Sequence, residues 1–260
     1  MKLEKIKGIL SDIDGTLYFK ETPILGAIET ISKLRKIGLK FLFFTNTDSK
    51  LPSTVLKTLQ NYGFKVKMDE IFTPIIALKE YLSKFPDKQV FFVTTAEVEK
   101  EFQDTPRIHG SEIPDFVVIG DFQDDWDVNR LNTAFQHVLK GAKLLGTQGN
   151  KYFLDHNGEP VIDTGSFVQM IATAANVTPK IFGKPSKEYF LQALSKLSLN
   201  SDEVLVVGDD LESDIQGAIN SGIKGVLVET GKGQFFDPKK TKIEPYKVIK
   251  SFSAISDFFK

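Results

Sequence analysis

The 260-residue chain contains no cysteine. That excludes a disulfide framework and thiolate metal sites, and it predicts a protein of the reducing cytoplasm. A surplus of one charge is missing too, since 33 Lys and Arg nearly balance 34 Asp and Glu. Such a chain presents no general attraction to nucleic acid or to an anionic membrane surface, and neither is expected as a partner. No window approaches the ~18 apolar residues of a membrane span. The opening "MKLEKIKGILSDIDG" lacks the apolar segment of a secretory signal. Internal repeats and low-complexity tracts are also absent. Histidine is scarce: His109, His137 and His156 are scattered, fall near no motif and read as surface positions or residues of the inserted unit.

What is present suits a soluble globular protein. Hydrophobic residues make up 41% and charged residues 26%, and the 22 phenylalanines are most simply core packing. The length fits one large domain or two modest ones. Short apolar runs alternate with helical periods. "GILSDI" has strand length, and "PILGAIETISKLRKIG" repeats Ile24, Ile28, Ile31 and Leu34 at helical spacing before Gly38. "LKFLFFTN" follows as a second buried strand and "PSTVLKTLQNYG" as a helix with Pro near its start. This order, with continuous apolar strands, predicts a doubly wound, Rossmann-like parallel sheet of the α/β class.

The C-terminal third repeats the pattern. "KIFG" is a short strand, "KEYFLQALSKLS" a helix, "EVLVVGDD" and "KGVLVETG" strands, and "SAISDFFK" a closing helix. The middle reads as an inserted α/β unit with its own strands and helices. The expected division is residues 1–77 and 182–260 for the core and 78–181 for the insertion.

The chemistry gathers at strand ends. Asp12 and Asp14 project to one side if the chain stays extended, at the end of an apolar run where carboxylates are costly unless paired or metal-bound. On that pair alone, Asp14-Gly15 is equally an ordinary turn. The second strand ends in Thr45 and Asn46, a hydroxyl and an amide suited to an anion or to loop capping. Lys184, between Gly and Pro before a helix, becomes a phosphate clamp if carboxylates lie nearby. Asp209, Asp210 and Asp214 follow another strand. They make either a helix N-cap or, beside the first pair, a hard-cation site, because Mg²⁺ takes one or two carboxylates plus water and phosphate oxygens. Trp126, among Asp124, Asp125 and Asp127, reads as a loop anchor. "TGKGQ" lacks the spacing of a Walker A loop and reads as a turn.

In chain order these segments are DxDGT, TN, GKP and GDDxxxD, and the series resembles the four motifs of the haloacid dehalogenase-like (HAD) superfamily of phosphohydrolases. The resemblance runs through the whole chain. The "TNT" after a short first helix, the long insertion after the second motif and "GVLVETGKG" near the end are similar to its NagD-type branch. That branch includes 4-nitrophenylphosphatases and phospholysine phosphohistidine inorganic pyrophosphate phosphatases. The insertion corresponds to its C2-type cap, although Val128 stands where a cap tyrosine is common. The resemblance implies Asp12 as nucleophile and Asp14 as general acid and base. It implies Thr45, Asn46 and Lys184 as phosphoryl-binding residues. Mg²⁺ would be held by Asp12, the Asp14 main-chain carbonyl and Asp209, with Asp210 and Asp214 binding metal waters or orienting Lys184.

The expected function is therefore a Mg²⁺-dependent phosphatase that hydrolyses small phosphate monoesters through an aspartyl-phosphate on Asp12. Phosphoamino acids or pyrophosphate are alternative substrates, and a phosphoacceptor signalling domain or a pseudo-enzyme are alternative classes. Receiver-type signalling domains are about half this length and have no place for an inserted cap, and the intact set of acids and lysine argues against a pseudo-enzyme. Dehalogenation is disfavoured because Asp14 supplies the proton transfer that phosphate-ester cleavage needs. A homodimer is compatible with the resemblance, which leaves the oligomeric state open.

Overall fold

The structure is a computed structural model that describes residues 5–108, 112–122, 127–155 and 157–259. The positions read above as His109, His156, Asp124, Asp125 and Trp126 lie outside the described residues. The chain divides into two compact units. The first comprises Met1–Thr45, Ser53–Phe72 and Lys187–Lys260, and the second Asn46–Pro52 with Thr73–Ser186.

The first unit is built on a six-stranded sheet. Its strands run in the order Lys247–Ile249, Lys224–Val228, Val204–Gly208, Gly8–Ser11, Lys40–Phe44 and Ile71–Phe72. Every neighbouring pair is parallel. Parallel strands covered on both faces must be apolar throughout, and Gly8–Ser11 and Val204–Gly208 are buried at every position. One face carries Ile9, Phe41, Phe43, Leu205 and Val207. It packs on Ile31 and Leu34 of helix Ala27–Lys36, on Val55 and Leu59, and on Phe252 and Ile255 of the closing 3₁₀ segment Phe252–Phe259. On the opposite face Phe44 meets Tyr189 and Phe190 of helix Lys187–Leu197, with ring centroids 5.0 and 4.9 Å apart. Each fully buried side chain of this kind contributes about 1.5–3 kcal/mol.

The strand order places a topological switch point between Gly8–Ser11 and its neighbour Val204–Gly208. The chain leaves the first strand toward one side of the sheet and reaches the other side only after the insertion. Open α/β sheets bind ligands beyond the carboxyl ends of strands at such a point. The doubly wound expectation is met here.

The second unit has its own four-stranded parallel sheet, in the order Lys180–Ile181, Lys143–Gly146, Phe116–Ile119 and Val90–Val93. Helices Val128–Leu139 and Thr164–Ala175 cover one face through Leu131, Ala134, Val138, Val168 and Ile171. Tyr81, Phe85, Phe116 and Phe182 form an aromatic group within the same unit. An antiparallel hairpin, Tyr152–Leu154 with Pro160–Ile162, completes it. The short strand of "KIFG", Lys180–Ile181, pairs with Lys143–Gly146 in this sheet, a partner that a two-residue apolar run does not itself specify. Among the described residues no helix is long and apolar enough to cross a membrane.

Candidate active site

In the first unit the acids sit just past adjacent strands. Asp12 follows Ser11, and its backbone N–H donates to the Val207 carbonyl at 2.8 Å, which extends the ladder one residue beyond the strand. Asp209 follows Gly208 on the neighbouring strand. Asp214 arrives from the wide helical turn Leu211–Gln216, and its Oδ2 accepts from the Asp210 N–H at 3.1 Å. One carboxylate oxygen from each of Asp12, Asp209 and Asp214 lies within 4.8 Å of the others, and all three residues are buried. Burial together with the Asp12 and Asp214 carboxylates pushes the Asp209 carboxyl well above its ordinary range.

Three buried acids so close together are unstable as anions unless a cation joins them. Their oxygen-only chemistry fits a hard divalent ion such as Mg²⁺. Asp210 takes a different place. Its Oδ1 caps the turn by accepting from the Glu212 and Ser213 N–H groups at 2.9 and 3.0 Å, and its Oδ2 pairs with Lys232 Nζ at 2.5 Å. Asp14 is exposed, beside the hydroxyl of Tyr18, whose pKa is pushed up by burial and by the Asp14 carboxylate.

Backbone freedom decides how closely this cluster can pack. Gly15 has φ +78°, and a Cβ there would lie 2.2 Å from Asp209 Oδ2. Gly231 has φ +54°, and a Cβ there would lie 2.0 Å from the same atom. Only glycine allows the chain to grip that carboxylate from two sides. Next to Gly231, the Lys232 N–H donates to Asp209 Oδ2 at 2.7 Å, and Thr230 Oγ1 donates to the Gly15 carbonyl at 2.5 Å.

Thr45 closes strand Lys40–Phe44 in the first unit. Tyr189 holds it: its buried hydroxyl lies 2.9 Å from the Thr45 carbonyl and 3.0 Å from that of Phe72, and it donates to this pair. Asn46 and Lys184 belong to the second unit, where they are locked together. The Lys184 N–H donates to Asn46 Oδ1 at 2.7 Å, and Asn46 Nδ2 donates to the Lys184 carbonyl at 2.9 Å. Lys184 is only 2% exposed. The structure thus brings Asp12, Asp209 and Asp214 together in one unit, and Asn46 and Lys184 in the other.

Comparison with known proteins adds a second line of evidence. Residues 9–105 match a family described as haloacid dehalogenase-like hydrolase, and residues 181–255 match a second described as HAD-hydrolase-like. The haloacid dehalogenase-like hydrolase domain-containing protein 2 of Bos taurus is 31% identical over 247 residues, covering 95% of this chain and 93% of its own length. The chain belongs to the haloacid dehalogenase-like hydrolases. The phospholysine phosphohistidine inorganic pyrophosphate phosphatase of Homo sapiens is 29% identical, with 89% of this chain and 86% of that protein covered. Among solved structures, the 4-nitrophenylphosphatase of Thermotoga maritima superposes with a TM-score of 0.88 at 27% identity, covering 99% of each chain.

For this hydrolase, sequence reading missed the residues that act through others. Gly231 and Lys232 sit in a "TGKGQ" segment read as a plain turn. The segment is a 3₁₀ turn, Gly231–Phe235, but its first residues close on Asp209 and Asp210. Tyr189 looked like one more core aromatic of its helix, and only the fold shows its hydroxyl at Thr45. His137 is a half-buried residue of the second unit, packed beside Phe91 at 5.2 Å, with burial lowering its pKa.

Proposed function

We propose that this phosphatase requires Mg²⁺ and hydrolyses phosphate monoesters of small molecules through an aspartyl-phosphate on Asp12. The observation that carries the reading is the convergence of Asp12 and Asp209, at adjacent strand ends, with Asp214 from the helical turn that follows. Those carboxylates would hold Mg²⁺, joined by the Asp14 main-chain carbonyl on the family pattern. When bound, the ion offsets the repulsion between Asp12 and the phosphoryl oxygens.

The protein's own groups then divide the work. The Asp12 carboxylate attacks phosphorus in line, and the bond from phosphorus to the leaving oxygen breaks as Asp14 gives that oxygen a proton. In the second step Asp14 takes a proton from water. The water oxygen attacks phosphorus, the bond to Asp12 breaks, and Asp12 keeps both of its own oxygens. Thr45 and Asn46 hold phosphoryl oxygens. Lys184 supplies fixed positive charge, and its burial favours an anionic partner. Residues 78–181 act as the C2-type cap that selects the leaving group. A cytoplasmic location accords with the absence of cysteine, and a homodimer is the assembly the family resemblance allows.

A single turnover of 4-nitrophenyl phosphate in heavy-oxygen water tests the mechanism. The label is expected in the released phosphate and not in the peptide carrying Asp12. Heavy oxygen in Asp12 would mean attack on its carboxyl carbon and would sink the proposal. Asp12→Asn is expected to abolish turnover. A panel of sugar phosphates, nucleotides, phosphoamino acids and pyrophosphate then ranks substrates. Phospholysine or pyrophosphate at the head of that ranking would favour the alternative that the human relative's name suggests.

A further inference from the structure

Two residues beyond Asn46, the second unit buries a carboxylate that the reaction above does not use. Asp48 is 3% exposed. Its Oδ2 alone accepts three donors: the Asp121 backbone N–H at 3.2 Å, Thr164 Oγ1 at 3.0 Å and Thr147 Oγ1 in a short bond. These donors come from separate places in the fold. Asp121 lies just past strand Phe116–Ile119, Thr147 follows Lys143–Gly146, and Thr164 opens helix Thr164–Ala175.

The contacts close into a circuit that includes Asn46. The Thr164 N–H donates to Asp163 Oδ1 at 2.8 Å, and Gln148 Nε2 donates to the same oxygen at 2.6 Å. Gln148 Oε1 accepts from the Asn150 N–H at 2.5 Å, and Asn150 Oδ1 accepts from Asn46 Nδ2 at 3.0 Å. From Asn46 the chain returns through Thr47 to Asp48. Every member of the circuit belongs to the second unit, and so does Lys184, which is bonded twice to Asn46.

We infer that Asp48 is a positioning residue for phosphoryl binding, fastening residues 46–52 to the strand ends of the second unit so that Asn46 stays in register with Lys184. The inference rests on the proposed role of Asn46 and Lys184 at the phosphoryl group. An aspartate suits the task because one carboxylate oxygen can satisfy several donors at once. Its removal takes the acceptor from the Thr164 hydroxyl and the Asp121 N–H and leaves Thr147 Oγ1 only the Ile119 carbonyl at 3.3 Å, and the segment shifts to find water or new partners.

The test compares Asp48→Ala with Asp48→Asn, which keeps an acceptor oxygen. In Asp48→Ala the KM for 4-nitrophenyl phosphate and the inhibition constant of inorganic phosphate should rise together, each about tenfold. The Mg²⁺ concentration for half-activation should stay within about threefold, because the cation site belongs to the first unit. Asp48→Asn should recover most of the loss. A side chain that merely stabilised the fold would lower the melting temperature without moving KM and the inhibition constant together.

Thr147→Val and Thr164→Val each remove one donor and leave Asp48 in place, and each should shift both constants in the same direction by about two- to fivefold. Unmoved constants in folded Asp48→Ala overturn the inference. If that variant does not fold, unmoved constants in both threonine variants do so. A wild-type chain without Mg²⁺-dependent turnover of any phosphate ester would overturn the proposed function instead. Calorimetric titration with inorganic phosphate would then still read the same tenfold weakening, or its absence, in Asp48→Ala.

Discussion

Each unit of this hydrolase buries aspartates just past the ends of a parallel sheet, and the two sets differ in what faces them. In the first unit Asp12, Asp209 and Asp214 face one another, with backbone donors at Asp209 and Asp214. In the second, Asp48 faces two hydroxyls and an N–H, and Asp163 accepts from Gln148 and from Thr164. Both Asp48 and Asp209 hold their protons well above the usual carboxylate range, in each case chiefly through burial and then through neighbouring acids. Raised affinity for a proton therefore does not distinguish the sets. What faces each acid does: Asp48 Oδ2 meets two hydroxyls and an N–H and acts as a structural tie, whereas three carboxylates whose ligand atoms lie within 4.8 Å of one another call for a cation. Among the described residues, the trio in the first unit is the group of three whose ligand atoms come within 4.8 Å of one another.

The largest effect should come from removing one charge from each set. Asp209→Asn should lower kcat/KM for 4-nitrophenyl phosphate by about 10³-fold or more, a loss on the scale seen when a group that stabilises developing charge is removed. Asp121→Asn keeps the backbone N–H that Asp48 uses, and its kcat should stay within about threefold of wild type. Comparable losses in the two variants would erase the distinction between a cation site and a structural tie.

A smaller effect should appear in thermal stability. Ligand that binds only the folded state adds about 2.7 kcal/mol at a hundredfold excess over its Kd, or roughly 5–10 °C in melting temperature for a chain of this size. Mg²⁺ should therefore raise the wild-type melting temperature measurably at about pH 8. Asp209→Asn should abolish that rise, and Asp48→Asn should keep it. A Mg²⁺ shift that disappears in Asp48→Asn would place the ion's site in the second unit and break the comparison.

Much of the first set was legible in the sequence because strand ends advertise themselves. "GILSDID" and "VLVVGDD" are apolar runs that stop at acids, and the alternation of buried strands says which ends of the sheet those acids occupy. The second set was not legible. Asp48 lies in "TNTDSK", where nothing local separates a buried acceptor from a turn residue, and its donors are 73 to 116 residues away in sequence. The partner of Lys180–Ile181 was not legible for the same reason, since its pairing with Leu145 and Gly146 is a tertiary fact. The Lys232 segment is intermediate. Its glycines announced a turn, but what that turn closes on is set by the sheet beneath it.

The smallest effect, and the one that reads both sets at once, is the pH dependence of stability. An unfolded aspartate titrates near 3.8, whereas folded Asp209 and folded Asp48 keep their protons to higher pH. Between those limits the folded chain binds more protons than the unfolded one, so stability must fall as pH rises through the window. The groups with the opposite shift, Asp115 beside Lys88 and Glu203 beside Lys7, have folded values below the ordinary 3.8 and 4.5. Their contribution is lost only toward acid, and that of His137, lowered by burial from 6.5, is complete above about pH 7.5, so a scan from about pH 7.5 to 9 isolates the buried acids. In chelated wild-type protein the melting temperature should decline across that range. Saturating Mg²⁺ should remove the part due to Asp209, because a bound cation stabilises the ionised form. The remainder belongs to Asp48, with Asp121 and Asp163 beside it, and Asp48→Asn should flatten it whether or not Mg²⁺ is present. A slope that Mg²⁺ removes entirely would show that the three donors already neutralise the cost of ionised Asp48. A slope that Mg²⁺ leaves untouched would show that Asp209 is not at the cation site.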